Sequence, residues 1–245
     1  MLNIDKCAYS NNLINVHPME KFIFVMVTII VCLSSNSIIT PILILLTVSS
    51  LTILKAGVPA KFYFKLMLIP FGFLFLGVIT ILIEIHTEPA LSFSITQQSI
   101  ETASKLFFRA LGSASCLYFF SLTTPLVDFT SVLKKLKLPD ILIELISLIY
   151  RLIFILVYIA GRIHTAQSSR LGYSSLKNQF RSLSQLVSSM FILSYKKAND
   201  LFISLESRCY NGNLNILEKQ YCFSAKNIVF IIVIELFFIL MEFNV

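Results

Sequence analysis

Two arginines in this chain stand in near-identical local settings: Arg170 in Ser168-Ser169-Arg170-Leu171-Gly172-Tyr173, and Arg208 in Ser207-Arg208-Cys209-Tyr210-Asn211-Gly212. In each, Ser directly precedes Arg, Tyr follows within three residues and Gly within four, and the two arginines are 38 positions apart. A guanidinium is a planar fork of donors that takes carboxylates and carbonyls two bonds at a time. Small neighbours (Ala166, Ser169, Gly172, Ser207 and Cys209) let another backbone approach that fork closely. The chemistry on offer is docking, a charged grip on a partner surface. The simpler alternative is that each Arg complements the negative end of its own helix, worth ~0.3–1 kcal/mol. Repetition of the pattern favours docking.

Other reactive residue types form no comparable constellation. There is no nucleophile–base pair that suggests catalysis and no G-x-x-x-x-G-K-[ST] phosphate loop. The five cysteines (Cys7, Cys32, Cys116, Cys209, Cys222) include no C-x-x-C, which argues against a disulfide framework or a Cys-based zinc site. His17, His86 and His164 lack partners that would make a soft-metal site. Glu84-x-His86-x-Glu88 reads as a solvated outer loop, with a transient metal gate as the alternative. No cofactor and no resident metal are expected. Glu235 is expected to face a bundle interior towards a polar partner, and Arg151 to pair with Glu144 or cap carbonyls at a membrane face.

The elements that would position these residues are helices in a bilayer. Of 245 residues, 56% are apolar and 13% charged, about half the ~25% charge of a soluble domain. That composition excludes a soluble globular enzyme and a disordered protein, and predicts an all-α integral membrane protein. Residues 66–83 and 110–127 are uncharged, 227–241 is interrupted only by Glu235, and 22–54 breaks at Ser34-Ser35-Asn36-Ser37 and Pro41 into a helical hairpin. These make five spans. The polar start around Asp5 shows no cleavable signal peptide.

Residues 141–161 are long and apolar enough to span as well, but contain Glu144 and Arg151. Charge argues against a crossing. Residues 131–220 hold 12 basic and five acidic side chains, the entire net charge of +7, and such stretches stay in the cytoplasm. If 141–161 crossed, a strongly basic segment would be exported. The expected layout is therefore a membrane domain over 1–130, a cytoplasmic helical segment over 131–220 and a closing membrane helix over 221–245. The N-terminus faces inside and the C-terminus outside. Residues 141–161 lie buried in protein or along the inner interface.

Within the basic segment, Leu138-Pro139-Asp140 signals a helix start. A helix is expected to run to Arg170 and to end on a Gly172 cap. A second is expected over 180–210, stopped by Asn211-Gly212. Both arginines then stand at helix ends.

The chain resembles the transmembrane T component of energy-coupling-factor transporters, specifically the cobalt-type Q subunit (the CbiQ family). The resemblance covers nearly the whole length. It is carried by Ile4-Asp5-Lys6-Cys7-Ala8-Tyr9-Ser10 with His17-Pro18-Met19-Glu20-Lys21, Pro70 to Val78, Leu122-Thr123-Thr124-Pro125, Leu136-Lys137-Leu138-Pro139, Leu148 to Phe154 and Ala166-Gln167 to Tyr173. The family's two Ala-Arg-Gly-like motifs match Ser169-Arg170-Leu171-Gly172 and Ser207-Arg208-Cys209, with Ser207 and Cys209 departing from Ala and Gly. Pro139, Arg151 and Gly212 would support the two motifs.

The resemblance implies a non-catalytic scaffold in the cell membrane of a prokaryote. It would bind two ABC-type ATPase subunits through the two helix ends and pass their closure to a substrate-capture membrane subunit holding cobalt or nickel. Other readings are a T component serving vitamins, or a membrane enzyme whose arginines hold an anionic substrate. The basic residues are interleaved with Leu, Ile and Phe rather than clustered, so lipid head-group contact is compatible and a nucleic-acid partner is not expected.

Overall fold

The computed structural model describes residues 3–82, the backbone of 84–86 and 92–94, residues 97–210, 221 and 223, and residues 225–244. Glu88 and Gly212, and the side chains of Glu84 and His86, lie outside the described residues. The described chain is helical apart from a short antiparallel pair, β1 (Glu84–His86) with β2 (Ser92–Ser94). It divides into two compact units, 1–132 with 219–245, and 133–218.

The first unit contains α1 (Asn3–Ser10), α2 (Pro18–Ser34), α3 (Ile39–Ser50) continued by a π turn (Leu51–Lys55), α4 (Ala60–Leu82), α5 (Gln97–Thr123) and α9 (Ala225–Asn244). α6 (Leu126–Lys135) leads out of it. α2 begins where His17 Nδ1 accepts from the Met19 amide at 3.0 Å and Pro18 fills the first turn. α5 starts 13 residues before the apolar run that announces it, and stops at Thr123 because Pro125 cannot continue the helix. Phe24, Val25, Cys32, Ile44, Val48, Cys116, Phe119 and Phe238 form its core. Gly112 makes that contact possible: a Cβ there would stand 2.9 Å from Cys32 Sγ and 3.1 Å from the Pro41 carbonyl.

Three polar contacts tie α2 and its following turn to α9. Asn227 Nδ2 donates to Glu20 Oε2 at 3.2 Å, Thr28 Oγ1 donates to Glu235 Oε1 at 2.6 Å, and the Asn36 amide donates to Glu242 Oε1 at 2.7 Å. Residue numbers rise together on both sides, so the two helices run parallel. Glu235 does face the interior, with Thr28 as its partner. At the end where α2 and α9 begin, Lys21 Nζ donates to the Thr123 carbonyl at 2.8 Å, and Asn11 Nδ2 reaches the same carbonyl at 3.3 Å. A cation and an amide thus satisfy the last carbonyls of α5. The end of α5 and the start of α9 therefore share one end of this unit.

α4, α5 and α7 (Asp140–Ser169) are long and apolar enough to cross a membrane by length and composition. Few residues of α7 are sheltered by the chain: Ile141 and Tyr158 are both 66% exposed. The apolar faces of α7 are open within its own unit and await lipid or a partner.

The second unit is a hairpin of α7 and α8 (Leu176–Glu206). Pro139 is the N-cap of α7, and α8 starts four residues earlier than its periodicity suggests because the Ser175 hydroxyl accepts from the Asn178 amide. Gln167 meets Ser182 and Glu144 meets Tyr210, so the helices are antiparallel.

Candidate functional site

Arg170 and Arg208 occupy the same position in two of three copies of one backbone motif, the third closing α6 with Leu136 in that position and Lys137 left-handed. At the end of α7 the Gly172 amide donates to the Gln167 carbonyl at 2.9 Å and the Leu171 amide to the Ser168 carbonyl at 3.0 Å. At the end of α8 the Tyr210 amide donates to the Leu205 carbonyl and the Cys209 amide to the Glu206 carbonyl, both at 3.0 Å. This is the six-to-one and five-to-two bond pair of a Schellman turn. In both turns the residue after Arg adopts the left-handed conformation, Leu171 with φ 57° and Cys209 with φ 58°. The expected Gly172 cap is corrected by one position. Gly172 is required for space: a Cβ would stand 2.7 Å from Ser182 Oγ and 2.8 Å from the Gln167 carbonyl oxygen. The Asn211-Gly212 stop is also superseded, since α8 ends at Glu206 through the turn on Cys209.

Ala166, Ser169, Arg170, Ser207, Arg208 and Cys209 are all exposed, and Gly172 is half-buried. Among the described residues, neither guanidinium makes a side-chain hydrogen bond or an ion pair. The arginines do not reach back to their own helix carbonyls, and a free planar fork is left at each turn. Ala166 lies one turn before Arg170 and lines an open groove with Ile163, Gln167, Gln185, Ser188 and Ser189. The two sites are not brought together. They lie at opposite ends of α8, about 45 Å apart at 1.5 Å per residue over its 31 residues.

Each turn is braced by contacts that the sequence did not announce. Gln167 Nε2 donates to the Ser182 carbonyl at 2.9 Å while its Oε1 accepts from Tyr173 Oη at 2.9 Å. Ser182 Oγ donates to the Gly172 carbonyl at 2.8 Å, and the His164 ring lies 4.6 Å from that of Tyr173. At the other end, Tyr210 Oη donates to Glu144 Oε2 at 2.6 Å. Glu144 is buried, and the hydrogen bond to its carboxylate pushes the Tyr210 phenol above its ordinary value. The pairing of Glu144 with Arg151 is corrected. Among the described residues no ion pair joins them: two helical turns separate them by ~10 Å along the axis, and Tyr210 holds the carboxylate. Arg151 itself is exposed on α7.

Among the described residues no three His, Cys, Asp or Glu side chains converge as a metal-binding group. His17 is an N-cap stacked on Phe223 at 3.9 Å.

The profile of the cobalt transport protein family, CbiQ, matches residues 10–219. The chain belongs to this family. It is 34% identical to an uncharacterized protein of Methanocaldococcus jannaschii over 98% of this chain and 92% of the relative. It is 29% identical to the cobalt transport protein CbiQ of Salmonella typhimurium over 88% of this chain and all of the relative. It is also similar, at 28% over 70% of this chain and 69% of the relative, to the energy-coupling factor transporter transmembrane protein EcfT of Ruminiclostridium cellulolyticum. As a CbiQ-family member with several membrane-crossing candidates, this chain is a membrane protein and a component of a transporter.

Proposed function

We propose that this CbiQ-family chain is the coupling subunit, the T component, of an ATP-driven importer of the energy-coupling-factor type that moves cobalt or nickel. Arg170 and Arg208 each grip one of two ABC-type ATPases. The membrane helices of the first unit adjoin a substrate-capture membrane subunit that holds the ion and chooses between the two metals. The observation that carries this reading is the pair of exposed, unpaired arginines at equivalent backbone positions of a recurring turn. Their ~45 Å separation suits two partners better than one small ligand, and speaks against a shared enzymatic anion site. The EcfT relative supports the T-component reading and favours, as second, a T component serving substrates other than metals.

In this reading residues 1–130 and 221–245 are membrane-embedded and 131–220 cytoplasmic, with five crossings and the C-terminus outside. The geometry of the first unit supports it. The end of α5 and the start of α9 share one end, so the intervening chain crosses an even number of times, including zero. α7 is apolar enough to cross, but α8 carries Lys177, Arg181, Lys196, Lys197 and Asp200 and is a poor return path.

ATP-driven cobalt and nickel uptake, with ATPase retention in mild detergent, tests the proposal in Arg170→Ala, Arg208→Ala and the double variant. Removing one partner of a desolvated charged contact costs about 2–5 kcal/mol, or tenfold in affinity per ~1.4 kcal/mol. Each single change is expected to impair coupling and the double change to abolish it. Near-normal uptake and retention in the double variant would sink the reading. Metal uptake set against vitamin uptake by the same assembly separates the two readings.

A further inference from the structure

Thr28 Oγ1, buried on α2, stands 2.6 Å from the Phe24 carbonyl oxygen and 2.6 Å from Glu235 Oε1 on α9. Both are the distances of short, strong O–H···O bonds. A hydroxyl has one hydrogen, so Thr28 can fully serve only one of these two acceptors. The Phe24 carbonyl has no hydrogen to give. With Glu235 ionised, one of the two contacts would therefore set oxygen against oxygen with no proton between them. The surroundings point the same way. Glu235 is 6% exposed, and its Oε2 is buried without a hydrogen-bond partner. It sits in the middle of α9, about 12 Å along the axis from Asn227 and about 10 Å from Glu242, where the other two contacts to α2 and its turn are made. Among the described residues, no cation reaches it. On α2, Glu20 is bound to Asn227, Lys21 donates to the Thr123 carbonyl, and Cys32 is a buried thiol. On α5, Arg109 donates to the Ser35 carbonyl, and the Cys116 thiol is within electrostatic reach of Glu235. Lys55 of the π turn lies over the Phe230 ring, and α3 carries no charged or titratable side chain. An unpaired carboxylate in such a place is expensive, and a neutral acid is far less so.

We propose that Glu235 is a proton-binding site of the first unit: its neutral carboxyl donates from Oε1 to Thr28 Oγ1, and Thr28 gives its own hydrogen to the Phe24 carbonyl. The bond between Thr28 and Glu235 then runs from acid to hydroxyl, the reverse of its sense with an ionised carboxylate. Oε2 becomes the carbonyl oxygen of the acid, and an unpartnered carbonyl oxygen is tolerated more readily than an unpartnered donor or charge. The bound proton thereby joins α9 to α2 and, through Thr28, to the helix ladder of α2. Glu242 differs. It accepts from the Asn36 amide at 2.7 Å and from Thr40 Oγ1 at 2.9 Å, the setting of a carboxylate. The site belongs to the helix packing of the first unit and is independent of the coupling role.

The test is infrared difference spectroscopy of the full chain in lipid nanodiscs at neutral pH. Wild type is expected to show the C=O band of a protonated carboxyl, lost in Glu235→Gln and kept in Glu242→Gln. Thr28→Val removes the acceptor of the acid's hydrogen bond at nearly unchanged shape, and should move the same band to higher frequency. Thr28→Ser keeps the hydroxyl and should leave the band where it is. Circular dichroism establishes that each variant is folded. The Thr28→Val shift assigns the band by itself, so the test survives a Glu235→Gln chain that fails to fold. No acid band in wild type, a band unchanged in folded Glu235→Gln, or one unmoved in folded Thr28→Val would each overturn the proposal.

Discussion

Tyr210 Oη donates to Glu144 Oε2 at 2.6 Å across 66 residues of sequence, joining the turn after α8 to the first turns of α7. Tyr210 is also the residue whose amide closes the turn on Leu205, two positions after Arg208. Backbone and side chain of one residue thus hold the second arginine to a buried carboxylate. The first arginine is held differently, by Gln167, Ser182 and Tyr173 at the hairpin corner. The two sites share a turn and differ in their anchors.

The anchor at Tyr210 is expected to respond to alkali. Its phenol is raised because ionisation would place an anion against the Glu144 carboxylate. A raised acid in the folded state binds its proton more tightly than in the unfolded chain. Its contribution is therefore complete below the ordinary tyrosine value of ~10 and is lost as pH rises through the higher folded value. The tyrosinate difference spectrum between wild type and Tyr210→Phe should show a late-titrating phenol, and Glu144→Gln should move that step down. An unshifted step in Glu144→Gln contradicts the pairing.

Cys209 stands in the left-handed region without being glycine, at a cost of roughly 1–2 kcal/mol. Cys209→Gly should stabilise the end of α8 by about 1 kcal/mol after the larger chain entropy of glycine is offset. Slower hydrogen exchange at the Cys209 and Tyr210 amides is the readout. Cys209→Val should do the reverse, and equal exchange in all three would remove the strain from the account.

Gly172→Ala places a methyl group against Ser182 Oγ and the Gln167 carbonyl. The side chain can be trimmed, but the carbonyl belongs to the helix ladder. A loss of about 1–3 kcal/mol is expected, together with weaker ATPase retention at the Arg170 end. Gly172→Ala with Ser182→Ala should recover only part of it. Full recovery in the double variant would show that the carbonyl contact is harmless.

Single cysteines replacing Lys177 and Lys197 on α8, in a background without other accessible cysteines, should resist membrane-impermeant maleimides on intact cells and react after lysis. Efficient labelling from outside would overturn the five-crossing topology.

The apolar runs made the helical membrane architecture legible, because a bilayer leaves helices few alternatives. The turn of small residues near Asn36 separated α2 from α3 as expected. Element ends were less legible. α5 begins at Gln97, well before its apolar stretch, because polar residues continue a helix as readily as apolar ones outside the core. Arg170 and Arg208 stood out through repetition, but their anchors did not. Gln167 looks like any polar helical residue until Ser182 and Tyr173 are folded against it, and the partner of Glu144 is set by the hairpin, not by helical spacing. Gly172 illustrates a different ambiguity: a missing Cβ serves a left-handed turn or a close contact, and only the fold tells which.

The contacts between α2 and α9 have a consequence for manufacture. Glu20, Thr28 and Asn36 wait for partners made 206 or 207 residues later. At ~5–20 residues per second, a ribosome needs roughly 10–40 s to cover that distance. For that interval α2 lacks the α9 side of these contacts, while the Thr28 hydroxyl still has the Phe24 carbonyl of its own helix to donate to. Translation that stalls before α9 therefore leaves a nearly complete chain whose α2 is uncovered along the face that α9 would close.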